Sequence, residues 1–263
     1  MLEEPSPKSW RRRLRVSVRT MMTLVLILGG GLGWLVHRAH LQRDAVAAIQ
    51  EAGGVVYYDW QRRNGINLPK EKPPWPKWLV DQVGVDYFSN VVVVGFGGKA
   101  SDVEMLHVEH LSRLEFQDLN FSSVTDAGLG HLKALKKLQY LPLAHTALTD
   151  MGLGNLEGLT NLQGLNLDQT GVSDTGLDRL KGLTSLRSLV LSNTEVSDAG
   201  LLHLKGLNNL VALSLADTQV SDSGLAHLKG LPKLKTLLLA RTKVTEAGVQ
   251  ELQKSIPMLE VVR

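Results

Sequence analysis
Six acidic residues, Asp126, Asp150, Asp174, Asp198, Asp222 and Glu246, follow one another at intervals of 24, and a stack of carboxylates could hold calcium. Each stands one place after a Ser or Thr and two before a glycine, which is the grammar of a helix start. The hydroxyl caps the first turn and the acid meets the positive end of the helix dipole. The consensus of calcium-loaded β-helices is missing, so capping is the better reading. A second column, His107, His131, Asn155, Arg179, His203, His227 and Glu251, mixes chemistries as a solvated face does. His203 with His227 supplies two imidazoles, which do not complete a metal site. His145 lies one repeat from Gln169 and two from Asn193, with no serine beside it and no glycine-rich phosphate loop nearby. With no cysteine in the chain, thiolate nucleophiles, thiolate zinc sites and disulfides are excluded. The expectation is a protein that is not an enzyme and uses no cofactor and no metal.

The elements that carry these columns repeat with the same period. Gly128, Gly152, Gly176, Gly200, Gly224 and Gly248 follow the acids, and Leu132, Leu156, Leu180, Leu204, Leu228 and Leu252 follow the glycines. The unit LxxLxLxxTxVSDxGLxxLxGL is intact as LRSLVLSNTEVSDAGLLHLKGL from Leu186 to Leu207. Residues two apart in a strand share a face, so Leu189 and Leu191 point inward while Ser188, Val190 and Ser192 point outward. Stacked repeats then give a parallel sheet. Thr146, Thr170, Thr194, Thr218 and Thr242 fall where the chain leaves each strand, where buried hydroxyls can satisfy backbone groups of the turn and of the neighbouring repeat. Ser173, Ser197 and Ser221 read as helix N-caps. Val91 to Val94 fits a first strand in register with Gln117 and Leu141, and SIPMLEVVR fits a last one if one residue is inserted. About eight strands, roughly 4.8 Å apart, make a sheet of about 35 to 40 Å.

The outward strand columns are mild: Phe116, Tyr140, Gly164, Ser188, Ala212, Thr236, then Asp118, Pro142, Asn166, Val190, Ser214, Leu238. Their aromatics are confined to Phe116 and Tyr140, one repeat apart, with rings expected about 5 Å apart. Interface hot spots favour such side chains, and Asp118, Asn120 and His145 place polar groups around them. This set is the candidate partner-binding site. A protein or peptide is the expected ligand.

The first ninety residues read differently. Six cations, Lys8, Arg11, Arg12, Arg13, Arg15 and Arg19, oppose only Glu3 and Glu4, so a tail of +4 outweighs the whole chain's +3. No basic face is left for phosphates, and nucleic acid is not an expected partner. Residues 20–36 carry no charge, and 17 of them in a helix reach about 25 Å, near the lower limit for a bilayer span. The positive-inside rule puts residues 1–19 in the cytoplasm and the repeats across the membrane, and WLVHRAH lacks a signal-peptide cleavage site. The run is thus expected to be a single-pass signal-anchor in contact with the lipid bilayer. Gly29 and Gly33 form a GxxxG pair through which two such helices can approach, making a second copy a candidate partner. Residues 37–90 read as a juxtamembrane helix stopped by Gly53-Gly54, a strand at VVYYDW, and a Pro/aromatic-rich cap. There Trp75, Trp78, Tyr87 and Phe88 cover the first repeat. The repeat domain spans residues 91–263.

These repeats resemble those of leucine-rich-repeat proteins, and VSDAGL is similar to the short repeats of bacterial members and of F-box ubiquitin-ligase receptors. The resemblance covers residues 91–263. It implies an α/β solenoid with a curved parallel sheet on the concave side and short helices on the convex side, here after one N-terminal transmembrane helix. No helical F-box module precedes the repeats, so adaptor function is not implied. Tail, anchor, connector and repeats together are similar to membrane-attached bacterial leucine-rich-repeat proteins. Two functions stay open: protein binding through the concave sheet, or a structural spacer of the envelope.

Overall fold
A computed structural model describes the backbone of residues 18–63 and 65–263 and the side chains of residues 29–63 and 65–263. Residues 1–17 of the basic tail 1–19 lie outside the described residues, as do most side chains of the apolar run. Helix α1 (Val18–Glu51) runs through that segment and on into the juxtamembrane one without a break. It ends where Gly53 takes φ 76°, and Gly54 donates its N–H back to the Ile49 carbonyl (2.8 Å). Among the described residues no helix is long and apolar enough to cross a membrane.

Strand β1 (Val55–Tyr58) follows, then β2 (Arg62–Arg63) and β3 (Ile66–Asn67), which pair antiparallel as a small hairpin. After α2 (Lys77–Val83) come eight parallel strands. They are β4 (Val91–Gly95), β5 (Phe116–Asp118), β6 (Tyr140–Pro142), β7 (Gly164–Asn166), β8 (Ser188–Val190), β9 (Ala212–Ser214), β10 (Thr236–Leu238) and β11 (Glu260–Val262). Strand β1 pairs antiparallel with β4, so the open edge of the first coil is closed by chain from ahead of the repeats.

The first coil is capped chiefly by α1. Ala45, Val46 and Ile49 are buried in the same core as Val94, Phe96 and Met105. Gln42 ties the cap together: its amide donates to Asp86 (2.9 Å) and to the Ser89 carbonyl (2.9 Å), and its oxygen accepts the Val91 N–H. Tyr58 also donates to Asp86, and burial, then that carboxylate, push its phenol above the ordinary range. The aromatic cap expected from sequence is corrected in part. Trp75 packs on Phe88 and Tyr87 meets His40, but Trp78 is 65% exposed. An amphipathic helix brings a continuous apolar stripe, which a proline-rich segment cannot supply.

Leu189 and Leu191 are fully buried and Ser188 is exposed, as strand alternation requires. Ser192 departs from it. It lies beyond Val190, where the pleat no longer sets its direction, and its hydroxyl is buried against that of Ser214 (2.7 Å). At the next position the chain turns through the left-handed region. Phe121, His145, Gln169, Asn193, Asp217 and Arg241 all have φ between 52° and 58°. Such residues cost about 1 to 3 kcal/mol each. What holds the first five is a bond to the next coil: the N–H of Phe121 reaches the Ala144 carbonyl (2.8 Å), and His145 reaches Asp168 (2.8 Å) in the same way. Arg241 takes the same conformation with no such bond among the described residues. The threonines then close the turn from within. Thr146 donates to Leu143 O (2.7 Å) and Thr194 to Leu191 O (2.6 Å), so these hydroxyls serve their own turn and not the neighbouring coil.

The acidic column does more than meet a helix dipole. Asp174 accepts both the N–H (2.7 Å) and the hydroxyl (2.5 Å) of Ser197 in the next coil, and Asp150 does the same for Ser173. Each carboxylate staples its coil to its successor. The glycine column follows from this, because a Cβ at Gly200 would overlap the Asp174 carboxylate and one at Gly176 that of Asp150. Glu104 stands at the glycine's place in the first coil, where no earlier aspartate lies, and closes a capping box with Ser101 (2.7 Å). Ser173 and Ser221 cap short α turns, whereas Ser197 leads only into a 3-10 turn at Gly200–Leu204.

These staples carry a pH signature. Burial pushes the carboxyls of Asp102 and Asp150 upward, but hydrogen bonds from Thr125 and Ser173 outweigh it and hold both below the ordinary value of about 3.9. The Thr245 hydroxyl lowers Asp222 likewise. A carboxyl depressed in the fold binds protons more tightly when unfolded. Its stabilisation is therefore present above about pH 4 and lost as the pH falls through the folded value. The urea midpoint should fall as acidification proceeds below about pH 4; a midpoint that rises there would contradict the staple.

One register differs from the simple period, and one expected to differ keeps it. Val94, not Val93, pairs with Gln117, a spacing of 23. At the other end Leu237 pairs with Val261 at the full 24, so the strand register does not carry the one-residue insertion expected from sequence. Gln117 is fully buried in the column that Leu141, Leu165 and Leu189 continue, and neither polar atom of its amide meets a hydrogen-bond partner among the described residues.

Candidate functional site
The two aromatic residues of the parallel strands' outward columns, Phe116 and Tyr140, lie side by side at the N-terminal end of the sheet. Phe116 on β5 is in direct register with Tyr140 on β6, and their rings sit 6.3 Å apart at a 37° tilt, wider than the expected stack. Tyr140 leans over the next strand, where Gly164 leaves room: a Cβ there would stand 2.7 Å from its ring. The phenol ring is 38% exposed. Glycine in the middle of this column is thus what lets the tyrosine lie flat on the sheet.

The β2–β3 hairpin forms the other wall. Arg62 carries its guanidinium 5.8 Å above the Phe116 ring, a cation-π arrangement that half-buries the phenylalanine. Arg62, Gly65, Asn67, Phe116 and Tyr140 line a cavity of about 250 Å³. A smaller one of about 170 Å³, lined by Asp59, Arg62, Gly65, Val92 and Glu115, lies against the same arginine. Trp60 stacks on Tyr58 (6.1 Å, 9°) at the hairpin's root.

The other expected site residues have structural work to do. Asp118 accepts the N–H of Asn120 (3.0 Å), and Asn120 in turn accepts the Ala144 N–H of the next coil (2.9 Å). Their acceptor groups face the backbone. His145 occupies the left-handed turn after β6, with its Nε2 3.8 Å from Asp168. It is stacked against Phe121 (4.4 Å, 19°), whose ring is 66% exposed. The structure therefore separates the set of five: Phe116 and Tyr140 share a cavity, while His145 belongs to an aromatic lip with Phe121.

Sequence reasoning missed Phe121 and the hairpin. Phe121 is legible as the member of the column that continues with His145, Gln169 and Asn193. The hairpin is signalled by the Asn-Gly pair at 64–65, a strong turn dipeptide. On the opposite face, His131 meets Glu109 (2.7 Å) and His203 meets Asp178 (3.2 Å). Among the described residues no group of three or more His, Asp or Glu is placed to hold a metal.

No protein-family model matches the chain, and no curated protein matches it. Among solved structures it is similar to an internalin (inlF) from Listeria monocytogenes, with a TM-score of 0.52 and 23% identity over 59% of this chain and 43% of that one. It is also similar to an internalin C2 (inlC2) from the same organism, with a TM-score of 0.52 and 24% identity over 65% of this chain and 80% of that one. The chain thus spans less than half of the first and four fifths of the second. At such identities the likeness shows the fold, that of a leucine-rich-repeat solenoid.

Proposed function
We propose that this chain is a membrane-anchored interaction protein, non-catalytic, that docks a protein or peptide at the N-terminal end of its concave sheet. Residues 20–36 span the bilayer, with the basic tail cytoplasmic and the repeats on the far side. The observation that carries the docking reading is the pair of half-buried Phe116 and exposed Tyr140 beside a side-chain-sized cavity, on outward repeat columns that hold no other aromatic residue. The anchor reading is supported by the uncharged run behind six cations and by the unbroken backbone of α1, whose C-terminal half is packed on the first coil. Gly29 and Gly33 present open space to a second helix, which supports a weak dimer within the membrane. The spacer reading finds support in Ala144, Ser192 and Ser214, buried positions that offer a ligand nothing to grip.

In native membranes the chain should stay with the bilayer through high-salt and carbonate washes, and external protease should remove the repeats in spheroplasts. A photo-crosslinking p-benzoylphenylalanine in place of Tyr140 should yield a discrete adduct, and the same group in place of Thr236 should not. Release by salt would refute the anchor. Equal labelling, or none, from the two positions would favour the spacer.

A further inference from the structure
We infer that the cavity between the hairpin and the sheet is a carboxylate-reading subsite, with Arg62 taking an aspartate or glutamate side chain of a bound peptide. The inference rests on the docking reading above and names the partner's chemistry. Arg62 is partly buried, and its Nη1 is shielded from solvent with no hydrogen-bond partner among the described residues. A guanidinium held partly out of water with one nitrogen unpartnered is costly, and a carboxylate entering the cavity that Arg62 borders offsets part of that cost by charge-assisted bonds to the side of the guanidinium facing it, not to the shielded Nη1. The cation is also held in place. Phe116 lies beneath it, and β2 fixes its backbone against Asn67. Less side-chain freedom then remains to be lost on binding.

The surroundings fit a short acidic side chain flanked by an apolar one. Asn67 stands across from Arg62 in the hairpin register and adds an amide to the same cavity, while the Tyr140 ring closes the far side with an apolar face. About 250 Å³ admits a side chain, not a folded domain. Asp59 and Glu115 line the smaller cavity that shares Arg62 and Gly65 with this one. They disfavour a second acidic group there, so the subsite reads one carboxylate from the open side.

The test uses the full chain in lipid nanodiscs and a displayed library of random dodecapeptides. Selected peptides should be enriched in Asp or Glu at one position beside an apolar residue. A synthetic selected peptide should bind at least tenfold more weakly to Arg62→Gln. Replacing its acid by the matching amide should weaken binding to the unmodified chain by a similar factor, and to Arg62→Gln hardly at all. Should Arg62→Gln lose the far-ultraviolet signature of the repeats, Arg62→Lys serves instead. It keeps the charge but loses the planar fork, and should weaken the acidic peptide severalfold. Neutral selected peptides, or binding indifferent to the Arg62 substitution, would overturn the inference. Binding that needs Phe116 and Tyr140 but ignores Arg62 would overturn it while leaving the docking site intact. Binding indifferent to all three would overturn both.

Discussion
Gly200→Ala should destabilise the fold by about 2 to 4 kcal/mol, although alanine is intrinsically the better helix former by about 1 kcal/mol. The sign is what makes the substitution informative. Gly200 does not adopt positive φ, so nothing in its backbone forbids a side chain. The obstacle is the Asp174 carboxylate, which occupies the space of the missing Cβ while it binds Ser197. An added methyl must push that carboxylate off both of its donors. Asp174→Ala alone should cost about 2 to 3 kcal/mol through the lost charge-assisted bonds. The double variant should then be at least about 1 kcal/mol more stable than the two single effects added together, since the methyl no longer meets a carboxylate. Gly154→Ala is the control: it lies in a helical turn with nothing within 4 Å, and should be neutral or stabilising by up to about 1 kcal/mol. Additivity in urea melts of the Asp174 and Gly200 variants would mean that the glycine column has another cause.

The second large effect is expected in the leucine column. Leu189 is fully buried between Leu165 and Leu213, its register partners on the adjoining strands. Leu189→Ala should cost about 2 to 5 kcal/mol, since the coils above and below are bonded into the sheet and cannot close the cavity. Ser188, one residue earlier, points to solvent, and Ser188→Ala should change stability by no more than about 0.5 kcal/mol. Similar urea midpoints for the two variants would invert the assignment of strand faces.

The period of 24 and the alternation around Leu189 were legible because each repeat solves the same packing problem with the same residues. The acidic and glycine columns were legible as a pattern, but their purpose was not. A carboxylate bound to the next coil and a carboxylate at a helix start leave the same mark in one dimension. Only the overlap of Asp174 with the space at Gly200 separates the two. The left-handed column was hidden for another reason. Phe121 and Gln169 are not residues that favour positive φ, and in both an inter-coil hydrogen bond holds it. Gln117 was readable as a polar interruption of an apolar column, but not that its buried amide would find no hydrogen-bond partner among the described residues. Of the candidate site, the aromatic pair followed from the strand columns. Arg62 did not, because it arrives from a hairpin more than fifty residues earlier in the chain, and repeat periodicity carries no information about what folds over a repeat.

The docking claim is tested most directly by the affinity of a captured partner for the full chain carrying Phe116→Ala with Tyr140→Ala. Both rings are partly exposed on the sheet face, so the repeats should remain folded, as judged by far-ultraviolet circular dichroism. Binding should weaken more than tenfold, as the loss of clustered aromatic anchors implies. Unchanged affinity, combined with loss of binding on Arg241→Ala or Lys243→Ala at the opposite end of the sheet, would place the site elsewhere and contradict the account.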